Sequence, residues 1–316
     1  MIKKVGIPRG LLYYEYYPLW VCFFKELGVE VVISNPTNKE ILNEGIRNAV
    51  DEACIPVKLF HGHVLSLKNK VDYIFIPRLK SVENGEFICP KFCGLPEMIK
   101  YSLKDLPPII DTEIDFLKSK RSLKSIILEV GKYFCSDEKQ IMKAYYKALT
   151  NYKNHKELLR TYKNLKNKKK SVLVLGHPYH LYDTYLNMGV IEKIKETEID
   201  IFTPDMIDEG DINEQASTFE DELYWTFARK LIGSTIHAIN SKKVDGIIYI
   251  STFACGIDSV VVDIVEKTIR NQSHIPFMLL TLDEHSGEAG INTRIEAFID
   301  MIKWRDNYEN NLSAHG

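Results

Sequence analysis

The chain has little net charge to direct it anywhere. Lys and Arg number 41 and Asp and Glu 43, for a formal net charge of −2 over 316 residues. Such a chain has no global pull toward nucleic acid or an anionic lipid surface, so neither partner is expected. Long apolar runs are also missing. The longest uncharged stretches, such as residues 246–257, fall short of the roughly 20 residues that cross a bilayer. The start, Met1-Ile2-Lys3-Lys4-Val5-Gly6-Ile7-Pro8, has too short an apolar stretch for a signal peptide and no small-residue cleavage site, so a cytoplasmic protein is expected. There is no G-x-x-x-x-G-K-[S/T], no G-x-G-x-x-G and no G-x-S-x-G. These absences remove the phosphate loop, the dinucleotide fingerprint and the hydrolase elbow, and the chain is not expected to hydrolyse ATP. Among six cysteines there is no C-x-x-C pair, the close pairing usual in zinc fingers and ribbons.

What is present is an ordinary globular mix, 45% apolar and 27% charged, which excludes a disordered, collagenous or low-complexity chain. The length suits about two domains. Apolar runs predict strands at residues 4–8, 29–34, 71–76 and 108–111, with helical spacing over 11–27, 38–53, 57–67 and 89–103. Residues 121–134 and 138–166 read as helices with few turn signals, closing on Lys166-Asn167-Lys168-Lys169-Lys170, a solvated helix end. The alternation restarts with strands at 171–175, 199–203, 244–251 and 276–281 and helices at 183–196, 220–239, 258–270 and 292–303. Alternating strand and helix predict parallel sheets covered by helices. The expected fold is α/β, two Rossmann-like parallel-sheet domains (1–120 and 171–316) joined by a helical connector (121–170). Gly6-Ile7-Pro8-Arg9-Gly10-Leu11 and Gly176-His177-Pro178-Tyr179-His180-Leu181 share G-x-P-x-x-L after the first strand of each domain. Such turns sit at strand C-termini, where open α/β sheets bind ligands, although any strand-to-helix turn favours Gly and Pro.

The cysteines divide by setting. Cys22, in Trp20-Val21-Cys22-Phe23-Phe24, reads as a small core hydrophobe, and Cys135 as a core or surface thiol. Cys54 precedes Ile55-Pro56, Cys89 precedes Pro90, and Cys255 follows an apolar strand and precedes a helix. Pro favours the first turn of a helix, so these three thiols are expected at helix N-termini, where the dipole and free N–H groups favour a thiolate. Cys93, four residues after Cys89, shares its helix face. Four thiolates suit tetrahedral zinc or a [4Fe–4S] cluster, and a set drawn from distant segments suits the cluster better. His61-Gly62-His63 offers metal ligands, anion contacts or ordinary hydrogen-bonded imidazoles. His177 and His180 offer an acid, a base or an anion contact, or turn chemistry alone. Asp283-Glu284-His285-Ser286-Gly287-Glu288-Ala289-Gly290 reads as a site loop or a polar loop with a helix cap.

Taken together, these segments resemble DUF2229, the domain related to the activators of 2-hydroxyacyl-CoA dehydratases in anaerobes. The resemblance is carried by Glu52-Ala53-Cys54-Ile55-Pro56-Val57-Lys58 with His61-Gly62-His63, Ile76-Pro77-Arg78, Cys89-Pro90 with Gly94-Leu95-Pro96, Gly176-His177-Pro178-Tyr179-His180, Cys255-Gly256-Ile257-Asp258 and Gly287-Glu288-Ala289-Gly290 through Phe298. His177 departs from the Arg of the family's G-R-P-Y-H form. More distantly the chain is similar to the dehydratase subunits and the double-cubane cluster proteins. The resemblance implies a [4Fe–4S] cluster held between two α/β domains, with Cys54, Cys89 and Cys255 as ligands and Cys93 as the fourth. It implies low-potential electrons from a separate ATP-dependent activase, passed to a small substrate or partner, and by analogy a homodimer. Lys58, Tyr179 and His180 are the candidate polar contacts if the protein is an enzyme, which the sequence leaves open. A double cubane would need about six thiolates and so would draw on Cys22 and Cys135. The competing reading is a binding or scaffold protein with structural zinc or no metal. A third is a thiol enzyme using Cys255 with a histidine.

Overall fold

A computed structural model describes residues 2–117, 122–161 and 170–313. Contacts divide the chain into two units. The first comprises Met1–Leu159 with Leu223–Phe227, and the second Arg160–Glu222 with Ala228–Gly316. The expected boundary at residues 120–121 and Lys166–Lys169 of the lysine run lie outside the described residues.

The first unit runs β1 (Lys4–Ile7), α1 (Tyr13–Glu26), β2 (Glu30–Ile33), α2 (Lys39–Asn48), α3 (Ile55–Leu67), β3 (Tyr73–Phe75), β4 (Arg78–Leu79), α4 (Pro90–Ser102), β5 (Ile109–Ile110), β6 (Glu113–Ile114), α5 (Leu123–Gly131) and α6 (Glu138–Thr161). Its sheet has the order β2-β1-β3-β5, all parallel, and β4 pairs with β6 as a separate short ribbon. Val5 and Ile7 of β1, Phe24 of α1, Phe75 and Ile110 form a core that also takes in Ile127, Ile141, Ala144 and Ala148, so α5 and α6 pack within this unit. Burying each large apolar side chain contributes about 1.5–3 kcal/mol. Local signals set the boundaries. Asn38 accepts the Ile41 N–H at the start of α2, and Ser122 accepts the Ser125 N–H at the start of α5.

The second unit runs β7 (Ser171–Leu175), α7 (Pro178–Tyr182), α8 (Val190–Lys195), β8 (Asp200–Phe202), α9 (Glu209–Ser217), α10 (Thr226–Ser241), β9 (Gly246–Thr252), α11 (Gly256–Gln272), β10 (Phe277–Leu282) and α12 (Glu288–Ser313). The first residues of α10 belong to the first unit. The sheet order is β10-β9-β7-β8, again parallel. Every residue of β7 and β9 is buried, as in a parallel sheet covered on both faces. Counted from its own first strand, each sheet has the order 2-1-3-4. The mixed α/β architecture with parallel sheets is therefore as expected. Among the described residues no helix is long and apolar enough to cross a membrane.

Two helices differ from expectation. Of the single helix expected over 183–196 only Val190–Lys195 is helical, because the Asp183 carboxylate accepts the N–H groups of Tyr185 and Leu186, each at 3.1 Å, and Met188 and Gly189 turn left-handed. The helix expected over 220–239 starts only at Thr226. Before it, Tyr224 accepts the Phe87 N–H through its carbonyl, and the Thr226 N–H donates to the Phe87 carbonyl at 2.9 Å. That backbone pairing holds the segment extended.

Candidate functional site

A helix that crosses between two parallel strands runs antiparallel to them, so it begins at the sheet edge where strands end. The exits of β1 and β3 in the first unit, and of β7 and β9 in the second, flank the point where strand order reverses, the usual ligand crevice of open α/β sheets.

Three of the four predicted cysteines stand at helix N-termini, Cys255 just after a sheet strand. Cys54 is the N-cap residue of α3, Cys89 of α4 and Cys255 of α11, and none of these helices has a side-chain cap bond. Cys93 lies one turn inside α4. The Arg78 guanidinium donates to the Cys93 carbonyl at 2.9 Å and pairs with Glu97. That pairing raises the Arg78 pKa further, the hydrogen bond that the guanidinium donates to Glu97 being the largest cause. Cys22 and Cys135 pack against the first unit's core, Cys22 inside α1 and Cys135 just before α6, where its thiol donates to Gln140 Oε1 at 3.4 Å.

Helix α3 is buried along most of its length, including Lys58, His61 and His63. The sequence offered no reason for Gly62, and the structure gives one. A Cβ there would lie 1.9 Å from the Ile41 carbonyl oxygen, so only glycine lets α3 approach α2 this closely. His63 is bound at both ring nitrogens, Nδ1 to Ser34 Oγ at 2.9 Å and Nε2 to Thr37 Oγ1 at 3.0 Å. Burial, and then Arg9, lower its pKa to about 3. His61 donates through Nδ1 to the Val57 carbonyl at 2.8 Å. Its Nε2 is buried without a hydrogen-bond partner, and burial lowers its pKa, so that nitrogen presents a lone pair. Cys54, Lys58 and His61 follow each other at four and three residues, which places them on one face of α3. A small apolar recess lies at this edge, lined by Pro8 and Gly10 of the β1 exit, Phe60 of α3, Pro77, and Phe92 and Leu95 of α4.

The second unit gathers its polar groups at the β7 and β9 exits. Gly176 permits the first turn, since a Cβ there would lie 2.9 Å from the Ile250 carbonyl oxygen. His177 then caps α7, and Cys255 stands opposite at the start of α11, after Ala254 in a left-handed conformation (φ +63°). Ligand atoms of His177, Cys255 and Asp258 all lie within 4.8 Å of one another. Asp258 is fully buried. Its carboxylate accepts from Tyr249 Oη at 2.8 Å and Ser251 Oγ at 3.2 Å, and pairs with His177 Nε2 at 3.1 Å. Burial alone would push the His177 pKa down, but the Asp258 carboxylate carries it up to about 10. Burial would likewise raise the Asp258 carboxyl, and His177 holds it well below the usual carboxylate range. Burial pushes the Cys255 thiol up, opposed by the nearby His177 imidazole.

Tyr179 and His180 are both buried. The Tyr179 ring stacks on His177 with centroids 5.1 Å apart. His180 donates through Nδ1 to the Ile250 carbonyl at 3.1 Å and meets Thr252 Oγ1 through Nε2 at 3.2 Å. Both of its nitrogens are thus engaged by β9, and burial lowers its pKa to about 3. Asp258 was the residue to add from sequence. It follows Cys255 by three, which places it in the first turn of a helix, where a carboxylate is favoured.

Residues 4–207 match the model of the CoA enzyme activase uncharacterised domain (DUF2229), and residues 118–302 match that of 2-hydroxyglutaryl-CoA dehydratase, D-component. No curated protein matches the sequence. Among solved structures, ZnuA aligns over 95% of this chain and 99% of its own at 10% identity and a TM-score of 0.29. The laminin-binding protein Lbp of Streptococcus pyogenes aligns over 95% and 98% at 9% identity and a TM-score of 0.29. The C-terminal domain of glucosamine-fructose-6-phosphate aminotransferase from Francisella tularensis aligns over 96% and 85% at 11% identity and a TM-score of 0.24. Likenesses this slight carry no argument about this chain.

Proposed function

This chain belongs to the family of the CoA enzyme activase uncharacterised domain and to that of 2-hydroxyglutaryl-CoA dehydratase, D-component, and from that membership we propose that it is an iron–sulfur redox protein of the dehydratase/activase-related type. Cys54, Cys89, Cys93 and Cys255 are its proposed thiolates to a [4Fe–4S] cluster. The observation that carries the reading is the placement of three of them. Cys54, Cys89 and Cys255 are each the N-cap residue of a helix whose start has no side-chain cap bond. First-turn N–H groups and the helix dipole there favour a thiolate and hydrogen-bond sulfur. The donor set fits the group: soft thiolates, with a buried imidazole lone pair from His61 on the Cys54 face. A bound cluster supplies one-electron transfer at low potential. The apolar walls of the recess beside α3 and α4 exclude water from that edge. The proposed electron donor is a separate ATP-dependent activase, and the proposed acceptor is a small substrate or a partner.

The test is iron and acid-labile sulfide per chain on protein purified without oxygen. About four of each are expected, with visible absorption that dithionite bleaches. Cys54→Ala should lose the iron, while Cys22→Ala should keep it. Iron retained in Cys54→Ala would remove that ligand. A second reading has its own observation, the convergence of His177, Cys255 and Asp258. Three such ligands with an open fourth position are a zinc geometry. Colourless protein with about one zinc and no iron after reconstitution would favour it.

A further inference from the structure

Arg9 pairs with no carboxylate among the described residues. It stands just past the end of β1, where the strand order reverses between β1 and β3, the usual ligand crevice of an open parallel sheet. Arg78 shows how this unit treats an arginine that serves structure. It pairs with Glu97 and with Asp111 at 3.5 Å, and donates to the Cys93 carbonyl at 2.9 Å. The Arg9 side chain is half-buried, and its Nε is buried without a hydrogen-bond partner. The Arg9 backbone N–H donates to Ser34 Oγ at 2.7 Å, and the guanidinium carbon lies 5.8 Å from the Tyr13 ring centroid. The titratable groups that feel its charge are His63 and Tyr13, and burial favours the neutral form of both. Taking a charge out of water without an opposite charge is costly. The planar fork of N–H donors on a guanidinium matches a carboxylate through two parallel hydrogen bonds.

We propose that Arg9 and the apolar recess beside it bind a small organic carboxylate, with the carboxylate on the guanidinium and a short hydrocarbon chain in the recess. Pro8 and Gly10, the chain neighbours of Arg9, line that recess with Tyr13, Phe60, Phe92 and Leu95. Tyr13 is thus both a wall of the recess and the ring beside the guanidinium. The recess is small, which limits the chain to a few carbons. A phosphate fits this place less well. Phosphate sites draw on free N–H groups at a helix start, and here the Tyr13 and Glu15 N–H groups donate to the Gly10 and Leu12 carbonyls at 3.1 and 3.2 Å. One guanidinium with an apolar wall suits a single carboxylate on a hydrocarbon stem. The inference stands apart from the iron–sulfur reading, because the recess is lined by none of the proposed cluster ligands.

The experiment titrates the full chain, purified without oxygen, with butyrate at constant ionic strength. Binding is read by saturation-transfer NMR and by the rise in thermal midpoint. Acetate, the neutral isostere butyramide and inorganic phosphate are the comparison probes, and Arg9→Gln and Arg9→Lys the variants. Butyrate should bind saturably and raise the wild-type midpoint. Acetate should bind about tenfold more weakly, because it has fewer methylenes to bury. Arg9→Gln should lose at least about tenfold in butyrate affinity. Arg9→Lys keeps the charge without the fork and should fall between the two. Butyramide bound as tightly as butyrate would mean that the recess binds without the cation, and would overturn the proposal. Phosphate bound more tightly than butyrate would overturn the carboxylate assignment. So would butyrate affinity unchanged in Arg9→Gln, or no saturable butyrate binding to the wild type. If Arg9→Gln does not fold, Arg9→Lys and the butyramide comparison on wild type carry the same test. The same result is expected with and without bound iron, so a failure of the iron–sulfur reading leaves this test standing.

Discussion

Acid should loosen the first unit through one buried imidazole. His63 is fully buried and spends both ring nitrogens on Ser34 and Thr37. Burial and the nearby Arg9 keep it neutral in the folded protein down to about pH 3. In the unfolded chain a histidine takes its proton at about pH 6.5. Below that point the unfolded state binds a proton that the folded state refuses, so stability falls as pH falls. The loss begins at about pH 6.5 and runs to about pH 3. Within that window each pH unit costs about 1.4 kcal/mol, and about 2 kcal/mol has gone by about pH 5. His63→Gln keeps a hydrogen-bonding side chain and removes the titration. Urea unfolding of both proteins at about pH 7.5 and about pH 5 gives the comparison, and hydrogen exchange in peptides from β2 and α3 assigns the loss to this unit. The wild type should lose about 2 kcal/mol more than the variant over that interval. His61, also held neutral by burial, titrates in both proteins and drops out of the difference. Parallel stability curves for the two proteins would refute the reasoning.

Two further outcomes follow from packing. Gly62→Ala should destabilise the first unit by about 3 kcal/mol or more, because the new methyl meets a backbone carbonyl that cannot swing aside. It should also lower bound iron, since the shifted helix begins at Cys54. Urea unfolding and iron content check both, and an Ala variant of wild-type stability would mean that α2 and α3 can separate freely. Tyr249→Phe removes one donor from the buried Asp258 carboxylate and should cost about 1–3 kcal/mol. A thermal midpoint unchanged in that variant would show that the carboxylate is held adequately by Ser251 and the two histidines.

The alternation of apolar strand and amphipathic helix was plain in the sequence because runs such as Ile74–Ile76 and Gly246–Ser251 are buried and carry no charge. The order of the strands was not, because the order depends on which edges meet, and parallel neighbours leave no mark on either strand. The shared G-x-P turn stands at a different register in each unit. Gly6 lies inside β1, paired with Val32, while Gly176 lies beyond the end of β7. The two units share a strand order, with only three residues in common at the turn. The broken helices failed for a different reason. Asp183 offered a local capping signal that could have been read. The extended Tyr224–Thr226 stretch pairs with Phe87, more than a hundred residues away, and no window along the chain holds both partners.

The cysteines were legible because proline marks the first turn of a helix and three of the thiols stand beside such a start or a strand end. Their surroundings were not. Asp258 reads locally as an ordinary acidic residue in a first turn, and its weight comes from His177, from the previous strand exit, and from Tyr249 and Ser251 on the adjoining strand. The two units make the same point by contrast. They share a strand order and a switch point, yet the first lines its edge with Pro8, Phe60, Pro77 and Phe92, and the second with His177, His180, Cys255 and Asp258. The scaffold places the edge, and the few residues at the strand exits decide its chemistry. An apolar edge suits the hydrocarbon part of a ligand and the exclusion of water. An edge with a locked carboxylate and imidazole suits a polar or charged group. The iron content of Cys54→Ala and the fate of Gly62→Ala therefore test the first edge, and Tyr249→Phe tests the second.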